Sequence, residues 1–327
     1  MFTLSRGPLW TVLVLGTALL PGCSSGPKIA PPANIVVDKS PARIERGRYL
    51  YVNLADCDSC HSQRDYTRLY SPMGASGSGS VVPYEGLPGR IVASNITPDP
   101  ETGIGTWTDG EKIRAIREGI SKDGRALYPS MPYANYRYMS DEDVQSLVAY
   151  MDTLPAIRNP LPKTELSPAA LKSIQGVPRP VDGPVPSPDP SNQASWGEYL
   201  VTIASCEECH TPKNGDRPDA GRRFAGGQTF ATSFGKVIAA NITPDKATGI
   251  GDWDYARFRD RLRIYSKDYS SPAQLPKIGP DQFTVMHYIA YSGLMDSDIA
   301  AVFTYLHTRT PVVQSVVPHP GSPSKAN

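Results

Sequence analysis

Hydrophobic positions along this chain gather into short amphipathic stretches, separated by long polar runs broken by proline, and the stretches come in pairs. Residues 140–154 carry Val144, Leu147, Val148 and Met151, and residues 296–307 carry Ile299, Val302, Phe303 and Leu306. Spacings of three and four put such side chains on one face of an α-helix. Residues 44–54 and 196–204 predict two further short helices, each running into a cysteine. Thr108 with Glu111 predicts a capping box after Trp107, and Ser140 with Asp143 predicts another. The first apolar run, residues 9–20 behind Arg6, is too short to span a bilayer and reads as an export signal.

The pairing extends well beyond the helices. Gly47-Arg48-Tyr49-Leu50 recurs as Gly197-Glu198-Tyr199-Leu200, and Asn95-Ile96-Thr97-Pro98-Asp99 recurs unaltered from Asn241. Thr102-Gly103-Ile104-Gly105 with Trp107 returns as Thr248-Gly249-Ile250-Gly251 with Trp253, and Met131, Tyr133 and Tyr136 match Met286, Tyr288 and Tyr291. Order is kept throughout, so the chain reads as a duplicated unit. The expected organisation is a signal peptide over 1–23, a tether over 24–40, a first domain over 41–158, a Pro-rich linker over 159–192, a second domain over 193–311 and a loose tail over 312–327. Ser167-Pro168 predicts one short helix inside the linker. The Gly/Ser stretch over 74–80 reads as a flexible surface loop.

Composition narrows the function. A length of 327 residues suits two small domains, and 33 basic residues against 32 acidic leave no field that would favour nucleic acid. Five cysteines are an odd number for an exported chain, yet none is left over. Cys57, Cys60, Cys206 and Cys209 form two C-x-x-C-H units with His61 and His210, and the fifth is Cys23 at the end of the signal. No disulfide is expected.

Cysteines at i and i+3 project from one side of a helical turn, and the histidine after the second is placed to ligate iron, so each unit predicts a covalently attached haem c. A zinc half-site or a redox dithiol is the alternative. Zinc ribbons bring their second pair within about 15–20 residues and a dithiol needs no histidine, so two haems are the expected cofactors. Met131, between Pro129 and Pro132, is the expected distal ligand of the first, held by a stiff backbone. Met286 is its counterpart, with His287 as a rival because the proline is replaced there. Met73, Met139 and Met151 read as surface or packing residues. Trp107 and Trp253 are read as packing at helix starts, Arg90 and Lys236 as solvated strand ends, and Asn95 and Asn241 as turn formers.

The run from Ser94 to Gly105, with Trp107, Asp123-Gly124-Arg125 and Tyr128-Pro129-Ser130-Met131-Pro132-Tyr133, resembles the cytochrome c subunits of membrane-bound alcohol and gluconate dehydrogenases. The likeness covers nearly all of the mature chain. It implies a mainly α fold of two tandem class I cytochrome c-type helical domains joined by a Pro-rich linker. It implies haem attachment at Cys57, Cys60, Cys206 and Cys209, with iron ligands His61, Met131, His210 and Met286. It also implies an electron carrier, not an enzyme in itself, fed by a periplasmic dehydrogenase subunit and discharging to another cytochrome or an oxidase. Those subunits typically carry three haems and this chain has two motifs, so their quinone-linked role is not carried over. The competing expectation is a dihaem redox enzyme with an exchangeable ligand position. Leu20-Pro21-Gly22-Cys23 resembles the lipobox of bacterial lipoproteins, which implies a lipid anchor on Cys23 and a periplasmic, membrane-attached product. Ordinary cleavage near Ser24 or Ser25 would instead release a soluble one.

Overall fold

The computed structural model describes residues 29–69, 74–176, 178–215, 217–264 and 275–320. Cys23, the signal run and Met73 lie outside the described residues. Among those described, helices dominate: α1 (Pro41–Tyr49), α2 (Asp58–His61), α3 (Asp109–Glu118), α4 (Tyr133–Tyr136), α5 (Asp141–Met151), α6 (Pro168–Ile174), α7 (Gln193–Ile203), α8 (Cys206–His210), α9 (Tyr255–Leu262), α10 (Tyr288–Tyr291) and α11 (Asp296–His307). The described strands are two or three residues long and pair as antiparallel ribbons, Ser80–Val81 with Val92–Ala93 and Thr229–Ala231 with Lys236–Ile238 among them.

Each half is organised by the same crossing, α1 on α5 and α7 on α11. The repeated glycine allows it. A Cβ on Gly47 would lie 1.8 Å from the Ser146 carbonyl oxygen, and one on Gly197 would lie 2.0 Å from that of Ala301. The halves differ by one residue between tyrosine and cysteine, since Tyr49 to Cys57 is one longer than Tyr199 to Cys206. A π-turn at Leu50–Leu54 takes up the extra residue, and Ala55 N–H reaches the Leu50 carbonyl at 2.8 Å.

The capping box at Thr108 and Glu111 is formed, with both reciprocal bonds present. At Ser140 only half of one forms. The Ser140 hydroxyl accepts from Asp143 N–H, but the Asp143 carboxylate is held by Arg46, at 2.8 and 2.7 Å, and by the Tyr199 hydroxyl at 2.6 Å.

The segments expected to be a tether, an extended linker, a loose tail and a flexible loop all pack on the rest of the chain. In the tether, Val37 is buried and its N–H donates to Asp109 at 2.8 Å, while the Ala30 carbonyl receives Arg114. The linker adds Glu165–Leu166 as a strand beside Gly89–Arg90, and Ile174 of α6 is buried. Pro318 in the tail accepts from Ile238 N–H at 2.8 Å. The Gly/Ser stretch is no free surface loop either: Gly77 to Gly79 are buried, because the Asp58 carboxylate draws in Ser76 and Gly77 N–H along with Tyr51 and Ser62. Alternating small residues let the chain pass close to that carboxylate, which composition alone cannot reveal.

The halves meet through an exchange of hydrogen bonds. Tyr49 donates to Asp298 at 2.6 Å and accepts from Met295 N–H; Tyr199 donates to Asp143 at 2.6 Å and accepts from Ser140 N–H. Each tyrosine therefore caps the last helix of the other half. Trp196 Nε1 also donates to Asp298 at 2.8 Å, stacks on Tyr199 with centroids 5.2 Å apart, and lies under the Arg46 guanidinium.

Burial, reinforced by the neighbouring Asp298 or Asp143, raises the pKa of Tyr49 and Tyr199 above the ordinary value. A raised pKa in the folded chain contributes stability that is complete below the unfolded value, about pH 10, and is lost as pH climbs from there toward the folded value. Thermal melts between pH 8 and 12 should therefore decline from about pH 10. A Tyr49→Phe, Tyr199→Phe double variant should make that decline shallower, since the other buried tyrosines, Tyr51, Tyr136 and Tyr291 among them, still contribute, and an unchanged slope would count against the assignment.

Candidate haem sites

A left-handed residue precedes each cysteine motif, Asp56 at φ 44° and Ser205 at φ 54°, and turns the chain out of the preceding helix. The motif then occupies its own short helix, α2 or α8. Cys57, Cys60, His61, Cys206, Cys209 and His210 all line one continuous cavity of about 3580 Å³. Burial raises the pKa of all four thiols, to about 12 for Cys206 and Cys209, so they are neutral at ordinary pH.

The histidines are fixed in the same way twice. His61 Nδ1 lies 2.6 Å from the Ser94 carbonyl oxygen and His210 Nδ1 2.7 Å from that of Ala240. A carbonyl only accepts, so Nδ1 carries the proton and Nε2 keeps its lone pair, the arrangement that prepares an imidazole for a metal. Burial lowers the pKa of both rings, which favours the neutral form that ligates. The backbone is clamped as well: Gly79 N–H reaches the His61 carbonyl, and Gly226 N–H that of His210, each at 2.6 Å.

The accepting carbonyls belong to the residues just before Asn95 and Asn241. Asn95 Oδ1 takes the N–H and hydroxyl of Thr97 while Nδ2 donates to the Ile157 carbonyl at 2.7 Å; Asn241 does the same with Thr243 and Val312. Asp99 and Asp245 close the turn by accepting from Thr102 and Thr248, which lowers their pKa. The repeated Asn-Ile-Thr-Pro-Asp segment is thus a rigid knot that presents one carbonyl to one histidine. Reading it as a turn was right as far as it went. Its exact repetition in step with the cysteine motif was the signal that it served the site.

Residues 44–155 match the family model for cytochrome c. The chain is 35% identical over 275 residues to the fructose dehydrogenase cytochrome subunit of Gluconobacter japonicus, covering 81% of this chain and 52% of that protein. It is 32% identical over 307 residues to the cytochrome c subunit of the quinone-dependent alcohol dehydrogenase of Gluconacetobacter polyoxogenes, covering 89% of this chain and 61% of that one. With the diheme cytochrome c-type protein of Cereibacter sphaeroides it shares 32% identity over 265 residues, 79% of this chain and 83% of the relative. The chain belongs to the cytochrome c family. It therefore has a haem electron-transfer role, although it spans only about half to three fifths of the dehydrogenase subunits named here.

The cavity fits the covalent haem that a cytochrome c implies: in each half two thiols and one prepared imidazole border space walled by apolar side chains, Ile104, Ile116 and Leu147 in the first and Ile250, Leu262 and Leu306 in the second. Met131 and Met286 line the same cavity from matching loops. Tyr133 N–H bonds the Met131 carbonyl and Tyr288 N–H that of Met286, both at 2.8 Å. Behind them Tyr136 and Tyr291 point their hydroxyls at the carbonyls of Ala55 and Ala204, at 3.5 and 3.3 Å.

Met139 is fully buried away from the cavity, and Met151 is buried in the helical core at the cavity wall. Trp107 and Trp253 pack on the core and face the cavity at once. Arg90 pairs with Glu165 at 2.5 Å outside the cavity, and Lys236 likewise sits on a strand away from it. What sequence reading missed is the bond between His287 and Asp56 across the two halves. Among the described residues no helix is long and apolar enough to cross a membrane.

Proposed function

We propose that this chain is a dihaem electron carrier built from two tandem class I cytochrome c-type domains joined by the Pro-rich linker. It takes electrons from a quinoprotein or flavoprotein dehydrogenase subunit in the periplasm and delivers them to another cytochrome or an oxidase. The observation that carries this reading is the doubled histidine arrangement, His61 on Ser94 and His210 on Ala240, each beside a C-x-x-C pair on one cavity. The relatives named above, subunits of fructose and alcohol dehydrogenases, support the donor class.

Cys57, Cys60, Cys206 and Cys209 would carry the thioether links; His61 and His210 offer Nε2, and Met131 and Met286 complete the donor sets. When bound, the haem irons supply the one-electron redox chemistry. The protein's part is to hold neutral imidazoles in a single tautomer and to wall the cavity with apolar side chains, which lowers the reorganisation that accompanies a change of charge. A haemochrome assay on the denatured mature protein should give two covalent haems per chain, and one in a Cys206→Ala, Cys209→Ala variant. A single haem in the parent, or haem extractable by acid acetone, refutes the dihaem reading.

Anchoring through a lipid on Cys23 completes the proposal. Cys23→Ala should move the protein from the membrane to the soluble periplasmic fraction. Unchanged membrane association would rule out the lipid as the anchor.

A further inference from the structure

The two methionine loops share a backbone but not the residue that stiffens it. Pro132 follows Met131, whereas His287 follows Met286. Proline fixes φ through its ring and histidine does not, yet Pro132 at φ −81°, ψ 47° and His287 at φ −76°, ψ 41° are nearly superimposable in conformation. Some other restraint holds the second loop.

That restraint comes from the other half. His287 Nδ1 lies 2.5 Å from Asp56 Oδ2. Asp56 is 4% exposed and directly precedes Cys57. A second bond runs alongside, from Asn53 Nδ2 to the Ala290 carbonyl at 2.9 Å, and the approach is so close that a Cβ on Gly293 would fall 2.0 Å from that same nitrogen. On its other side the loop is covered by Arg261, whose guanidinium lies 5.2 Å from the centre of the Tyr288 ring. The reciprocal contact is weaker, an exposed bond from Asn135 Nδ2 to the Glu208 carboxylate at 3.5 Å. Ser205, the counterpart of Asp56, has a buried hydroxyl with no hydrogen-bond partner, and its opposite number is Pro132, which offers no side-chain donor.

We propose that His287 is a positioning residue that fastens the Met286 loop of the second half to the haem-attachment peptide of the first through Asp56. The inference rests on the reading of Met286 as an iron ligand. It makes the two halves couple chiefly through this one joint: a change beside Cys57 is felt at the second iron, and by linkage a change at the second iron is felt beside Cys57, while the first loop is stiffened by its own prolines.

Imidazole added to the oxidised holoprotein reports the outcome, because it occupies a haem iron only when the methionine lets go. Asp56→Gly removes the acceptor and tolerates the positive φ of 44°, and His287→Ala removes the other partner. Hydrogen bonds involving charged groups are strong enough that each variant should raise the imidazole affinity of one haem by roughly tenfold to a hundredfold. The other haem should be unaffected, with two haems still bound per chain. The double variant should be no weaker in methionine retention than the worse single one, as expected for partners in one interaction. His287→Pro should recover resistance, since it installs the first loop's own restraint. Unchanged imidazole binding in Asp56→Gly, or single effects that multiply in the double variant, overturns the proposal. Met286→Ala separates the two layers. If it leaves the red absorbance of the Met-ligated ferric haems intact, the ligand assignment itself has failed; if it removes one haem's share while Asp56→Gly has no effect on imidazole binding, only the brace is wrong.

Discussion

Asp143→Ala lowers the stability of the holoprotein by about 3–5 kcal/mol, the range for removing one partner of a buried ion pair. The Asp143 side chain is 7% exposed and takes both forks of the Arg46 guanidinium, at 2.8 and 2.7 Å, along with the Tyr199 hydroxyl at 2.6 Å. Alanine leaves a largely enclosed cation and a buried hydroxyl without their acceptor. Tyr199, buried and stacked on Trp196, cannot turn to water, and Arg46, held against the Tyr49 and Trp196 rings, is only 26% exposed. Asp143→Asn should cost less, since the amide oxygen still accepts one of these bonds. Equilibrium denaturation with the haems in place measures both. A loss below about 1 kcal/mol for the alanine variant would mean that the junction between the halves is relaxed in solution.

The largest effect on function is expected at the two methionines. Met131→Ala and Met286→Ala should each lower one reduction potential by a sizeable part of the ~0.8 V range over which axial ligands tune haem. Each should also remove one haem's share of the weak red absorbance of methionine-ligated ferric haem. The thioether favours the ferrous state, so its loss makes that haem a weaker oxidant. Because the two loops have the same carbonyl-to-amide closure, at Tyr133 and Tyr288, the effects should be similar in kind. Redox titration checks this. Two unchanged potentials in Met286→Ala would mean that the second haem draws its sixth ligand from elsewhere.

The chemistry was legible because it is local in sequence. Two thiols and an imidazole within five residues need no fold to be recognised, and the helix faces at Val144, Leu147, Val148 and Met151 declared themselves by spacing. Helices α7 and α11 lie within a few residues of the expected bounds. What stayed hidden depends on partners far away in the chain. Asp143 looked like the closing half of a capping box, but a guanidinium and a phenol compete better for its carboxylate than a helix N-cap does. The segments over 24–40, 159–192 and 312–327 read as a tether, an extended linker and a loose tail because proline and small polar residues dominate them, yet backbone groups of Val37, Leu166 and Pro318 bond to the parts they flank. The bond from His287 to Asp56 could not be read from sequence, because the two stand 231 positions apart.

The exchanged tyrosines also bear on the order in which the molecule can be completed. As the chain emerges from its N-terminus, Tyr49 is among the first core residues to appear, but its acceptor Asp298 stands 249 positions later. Until that aspartate arrives, the α1 surface carries a phenol with nowhere to donate, beside an Arg46 whose ring partner Trp196 is also still to come. The first half thus emerges with its docking face unsealed. Closure of that face is a late, non-local event that sets a floor on how quickly the whole chain matures. A fragment ending before α11 would carry that unsealed face permanently and be prone to self-association.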